Sequence, residues 1–195
     1  MWHLFMSINA VQSTVHCWLK DYSWLSRVYV TVNAFRSLFP VKVLERECLT
    51  SVSSPLIDRT IATVAEMCFA KQLSDSLPRP TWILFYAWAA QLCCWAAILT
   101  KNNLFHVLEE TWWFLIGYTY YLNTHREAAR VIALVYVVYM VGVDIPTYVG
   151  RYLESPDFAL SLDVDQCKLV DDWTGEYLWR VGYFVGATHV SMYLG

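Results

Sequence analysis

The stretch PTWILFYAWAAQLCCWAAILT, Pro80–Thr100, holds no Asp, Glu, Lys or Arg and is bounded by Arg79 and Lys101. At about 1.5 Å per residue in a helix, a run of this length crosses roughly 30 Å of hydrocarbon. It predicts a transmembrane helix over 80–100. On its C-terminal side, Lys101, Asn102 and Asn103 make a tight turn. The next segment, 104–122 (LFHVLEETWWFLIGYTYYL), is apolar and aromatic except for His106, Glu109 and Glu110. A polar connection from Asn123 to Arg130 leads to a third span, 131–149. Short connections of this kind join antiparallel neighbours, so the three segments predict a hairpin series.

Two further spans flank the series. Segment 56–77 carries Asp58 and Arg59 at one end and Lys71 and Asp75 at the other, where long side chains reach the headgroups, and leaves Glu66 near its middle. Segment 177–195 holds Arg180. Residues 1–40 are aromatic but interrupted by His16, Lys20, Asp21, Arg27 and Arg36, and they predict amphipathic helices at the interface, ending at Phe39-Pro40. No basic region precedes an apolar one there, which argues against a secretory signal. The fold class is therefore all-α, a polytopic transmembrane helix bundle of about five spans, or six if Trp2–Leu19 also crosses. Residues 1–195 are read as a single membrane domain.

Composition agrees. The 195 residues are 57% hydrophobic, 16% aromatic and 16% charged, with a mean hydropathy of +0.35, which identifies the lipid bilayer as the expected solvent and partner. A net charge of -3 and the absence of a basic stripe exclude a nucleic-acid partner. The segment 150–176 is an acidic loop that accounts for the whole negative balance. Its Asp163 and Asp165 lack the glycine and closing glutamate of an EF-hand. Lysines and arginines divide too evenly between the two sides to fix an orientation. The six cysteines form no CxxC and are read as small apolar packing residues.

The chemistry lies in the exceptions to this pattern. At about 100° per residue, Asn102, Asn103, His106, Glu109 and Glu110 fall within one arc of about 120°, which Trp113, Gly117, Tyr120 and Tyr121 continue. Leu104, Val107, Leu108, Leu115 and Tyr118 take the other side. An ionised acid near a helix centre costs roughly 2.5 to 3.5 kcal/mol on insertion scales, so these acids need a partner, a proton or water. Glu66 sits between Ala62 and Ala70 on a small-residue face shared with Arg59. Asp144 lies in Gly142-Val-Asp-Ile-Pro146, where the proline cannot donate to the Gly142 carbonyl and kinks the helix beside an acid.

The candidate ion, proton or ligand site is thus Glu66, Asn103, His106, Glu109, Glu110 and Asp144, supported by Arg59, Gln91, Asn102 and Arg180. Three stretches, SPLIDRTIATVAEMCFAKQ (54–72), LTKNNLFHVLEETWW (99–113) and VDIPTYVGR (143–151), resemble an uncharacterised family of multi-span integral membrane proteins. The resemblance would cover most of 45–190. It implies a membrane bundle and draws attention to Glu66, Asn103, Glu109, Glu110 and Asp144, without implying an activity.

Three functions fit. The acids with His106 could bind a cation or relay protons in transport, in which case five spans predict a homo-oligomer. They could merely satisfy hydrogen bonds in a structural subunit of a larger membrane complex. They could also serve a membrane-embedded enzyme acting on a lipid or hydrophobic molecule. No cofactor is specified; a di-iron bundle is disfavoured because the two Glu-x-x-His motifs it needs are missing, and other metal binding is left open.

Overall fold

The computed structural model describes residues 2–79, 81–171, 173 and 180–195. Pro80, at the start of one expected span, Asp172 and Glu176 of the acidic loop, and 177–179 of the last span lie outside the described residues. The chain is mostly helical, as expected, with helices α1 (Trp2–Leu19), α2 (Trp24–Leu38), α3 (Pro55–Asp75), α4 (Ile83–Thr100), α5 (Asn103–Asn123), α6 (Glu127–Tyr139), α7 (Ile145–Glu154) and α8 (Thr188–Leu194). π-Helical turns at Met140–Asp144 and Val181–Ala187 run into α7 and α8. Two of these helical runs, Ile83–Thr100 and Glu127–Glu154, are long and apolar enough to cross a membrane.

The chain clusters into two compact units. The first comprises Met1–Gln72 and Val164–Gly195, the second Leu73–Asp163. In the first unit α1 and α2 form a hairpin against which the C-terminal helical segment packs. Ser23 starts α2 by accepting a hydrogen bond from the Ser26 amide, which satisfies one of the donors a helix leaves unpaired at its start. A seam of polar groups ties three helices of this unit. Gln72 donates to Ser26 Oγ at 2.5 Å, Ser191 Oγ donates to Gln72 Oε1 at 2.7 Å, and Ser26 Oγ donates to the Ser191 carbonyl at 3.0 Å.

The all-α expectation misses a small sheet in the first unit. Strands β1 (Val41–Lys42) and β2 (Glu47–Cys48) pair antiparallel, and β3 (Lys168–Leu169) pairs parallel with β2. Strands of two residues carry no periodicity to read. The sheet brings Cys167 to Cys48, and the two form a disulfide with Cα atoms 5.7 Å apart. This corrects the packing role given to both cysteines. Their separation of 119 residues and the lack of a local motif hid the pair.

In the second unit α4 and α5 form an antiparallel hairpin. Lys101, in the left-handed region at φ 53°, ends α4, and Asn102 Oδ1 accepts the Leu104 amide at 2.8 Å to begin α5, so the turn needs only two residues. α5 packs in turn on α6 and α7. Gly117 makes the contact with α6 possible: a Cβ there would stand 2.5 Å from Tyr136 Cδ1.

The expected span 131–149 lies within the longer helical run Glu127–Glu154. A π-turn, in which the Ile145 amide donates to the Met140 carbonyl, stands just before Pro146. The wider turn takes up one extra residue where the proline removes a donor. The helix therefore continues past residue 149, and the segment expected as a loop over 150–176 begins with helix to Glu154 and includes β3.

Candidate functional site

The polar arc of α5 is the buried one. His106, Glu109, Glu110, Trp113, Ile116, Gly117 and Tyr120 are buried, while Leu104, Leu108 and Tyr118 are exposed. His106 and Glu109 stand one turn apart, and His106 Nδ1 meets Glu109 Oε2 at 2.6 Å. The contact is a short hydrogen bond whose donor is set by the tautomer of His106. The ring of His106 is covered by Tyr148 of α7, with centroids 4.9 Å apart, and the Arg151 guanidinium lies over the Tyr148 ring, 5.4 Å from its centroid.

Asp144 closes the π-turn and is buried. Tyr148 is four residues further on, and so lies on the same helix face. Glu109, Glu110 and Asp144 all act electrostatically on Tyr148, and Glu110 and Asp144 act together on Tyr139. Three buried carboxylates from α5 and the π-turn therefore lie within electrostatic reach of Tyr148, and one of them, Glu109, contacts His106. Cys94 of α4 joins them: its Sγ, a ring nitrogen of His106 and a carboxylate oxygen of Glu109 lie within 4.8 Å of one another.

The other expected residues divide by unit. Gln91 is buried on α4. Asn103 opens α5 half-buried. Asn102 is committed to structure, since besides capping α5 its Nδ2 donates to the carbonyls of Pro156 at 3.1 Å and Asp157 at 3.3 Å. Glu66, Arg59 and Arg180 belong to the first unit. Arg59 Nη2 donates to Glu66 Oε2 at 2.6 Å, Tyr183 Oη donates to Glu66 Oε1 at 2.7 Å, and Arg36 Nη1 stands 3.6 Å from the same oxygen. Arg36 also pairs with Asp58 at 3.0 Å. Arg180 donates to the Val41 carbonyl at 2.7 Å and lies over the rings of Trp173 and Phe184.

Arg36, Asp58 and Tyr183 were missed as members of this group. Asp58 was expected to reach an interface from the end of its helix, yet it is buried against Arg36 of α2. Cys94 was missed as well, although a signal for it exists. In a hairpin turning at Lys101 and Asn102, Cys94 stands seven residues before the turn and Glu109 seven after it, so the two face each other.

Comparison with protein-family models, with curated proteins and with solved structures gives no match. Function is accordingly sought in the chemistry of the two charged groups.

Proposed function

We propose that this chain is a multi-span membrane protein whose second unit takes up a cation at Glu109, Glu110, Asp144 and His106, in the manner of a transport or ion-coupling protein. The observation that carries it is the buried His106–Glu109 contact beneath Tyr148, with Glu110 and Asp144 buried within electrostatic reach of the same tyrosine. Three acids against the Arg151 guanidinium within reach of Tyr148 leave an excess of negative charge that favours a further positive charge.

The membrane assignment draws support from the surface. In the run Glu127–Glu154 only 22% of the most apolar window is buried, whereas the core helix of a water-soluble protein would be mostly buried. Val131, Val135, Val138 and Val141 are exposed along it, as are Phe85, Trp88 and Leu92 on α4. Leu4, Ile8, Val11, Val15 and Trp18 make a similar exposed stripe on α1. Contiguous apolar surface of this kind suits lipid.

A structural role fits the Glu66 group better. Two arginines and a tyrosine hydroxyl already address that carboxylate, so it serves to hold α2, α3 and the C-terminal segment together.

Purified protein reconstituted in lipid vesicles tests the transport assignment. Cation uptake driven by an imposed gradient is expected to fall at least tenfold in Glu109→Gln and in Asp144→Asn, with helicity and elution volume preserved. Uptake at the wild-type rate in both variants, or no uptake above that of empty vesicles, would overturn it.

A further inference from the structure

The gathering of ligand atoms around His106 specifies the kind of cation more closely than carboxylates alone do. We propose that Cys94, His106 and Glu109 are the protein ligands of a borderline divalent transition-metal ion, zinc-like in its preferences. The proposal rests on the cation site described above and names the class of ion it holds.

The donor set is the first ground. Magnesium, calcium and the alkali ions favour oxygen, whereas a thiolate beside an imidazole selects zinc and its first-row neighbours. One sulfur, one nitrogen and one oxygen ligand match the three protein positions of an open tetrahedral site, in which water or another group takes the fourth. Glu110 and Asp144, which act electrostatically on the Tyr148 that covers His106, would add negative charge that favours a divalent ion.

Geometry is the second ground. Bonds of about 2.0 to 2.3 Å in a tetrahedron place neighbouring ligand atoms about 3.3 to 3.8 Å apart. The three atoms already lie within 4.8 Å of one another, and all three residues are buried. His106 Nδ1 and Glu109 Oε2, at 2.6 Å, are closer than two ligands of one ion, so the ion either enters between them as they part or takes the other ring nitrogen or carboxylate oxygen. Each change needs only side-chain rotation on two helices held by a two-residue turn. The Tyr148 ring, tilted 35° to the imidazole with centroids 4.9 Å apart, covers one side of it.

The neighbouring Cys93 is a built-in control. It is only half-buried, its thiol engages Trp112, and although Glu109 acts on it electrostatically it is not among the three ligand atoms that lie together. Adjacent residues on a helix point about 100° apart, so Cys93 and Cys94 cannot serve one site alike.

The test uses the full chain in detergent with Co2+ and Zn2+ as probes. Co2+ is expected to bind near one equivalent per chain with a thiolate-to-cobalt charge-transfer band, which Zn2+ displaces and a large excess of Mg2+ does not. The band should persist in Cys93→Ser and vanish in Cys94→Ser, and His106→Gln should weaken Co2+ binding at least tenfold. Independently of any variant, Zn2+ should protect Cys94 of the wild-type chain from a membrane-permeant alkylating reagent, read by mass spectrometry. Absence of the band and of protection overturns the metal assignment, as does a band that survives in Cys94→Ser. Loss of vesicle uptake in Glu109→Gln without any cobalt band would overturn the metal while sparing the cation site. A cobalt band without uptake would support the metal and overturn transport.

Discussion

Glu66 and Glu109 are both carboxylates buried in helices, yet their surroundings give them different work. Glu66 receives Arg59 at 2.6 Å and the Tyr183 hydroxyl at 2.7 Å, with Arg36 close behind. Replacing one member of a buried ion pair strands the others in a poorly solvating interior, at a cost of about 3 to 5 kcal/mol. Glu66→Gln is therefore expected to destabilise the first unit by that order, read as a lower denaturant midpoint in detergent. Restoration of much of the loss on adding Arg59→Met would identify the stranded charge as the cause; an unchanged midpoint in Glu66→Gln would contradict the pairing. Glu109 instead meets an imidazole and a thiol, groups that exchange a proton for a metal ion. Both acids stood out in the sequence by the same rule, that lipid disfavours charge. Their different partners did not, because Arg36 and Tyr183 lie far from Glu66 along the chain and meet it only through packing.

Among the elements, the α4–α5 hairpin was the most legible. Its first arm has an uninterrupted apolar run, its second a polar arc, and a tight turn joins them. The helices form at these places and the acids and His106 of the arc are buried, while the capping role of Asn102 came only with the structure. The π-turn was only half legible: Pro146 predicted a break, whereas the chain answers the missing donor with a wider turn and keeps the helix running to Glu154. How closely α5 approaches α6 depends on a single missing methyl. A Cβ on Gly117 would lie 2.5 Å from Tyr136 Cδ1 and 2.7 Å from Cε1, too close without movement of the ring. Gly117→Ala should destabilise the second unit by about 1 to 3 kcal/mol, the usual cost of overpacking. Thermal unfolding checks this, and Gly117→Ala with Tyr136→Ala should recover part of the loss if the ring is the obstacle.

Across the whole molecule, the Cys48–Cys167 disulfide links segments that are 119 residues apart, and the three-stranded sheet stands at the same place. Disulfides persist in oxidising compartments, so protein extracted under alkylating conditions should yield a Cys48–Cys167 linked peptide by mass spectrometry. Reduction should lower stability by roughly 2 to 5 kcal/mol, as expected for a crosslink closing a long loop. Recovery of both cysteines as alkylated monomers from unreduced protein would refute the pairing. The sequence by itself determined the features that local rules govern: a helical chain, because apolar runs and caps act over neighbouring residues, and the arc of α5, because helix periodicity fixes which side chains share a face. Tertiary structure decided everything that depends on distant residues meeting. It divided the chain into two units, gave Glu66 the distant Arg36 and Tyr183, joined Cys48 to Cys167, and brought Cys94 to His106 and Glu109. Hydrophobic periodicity says that a charge is buried; only the packing of one helix on another says beside what.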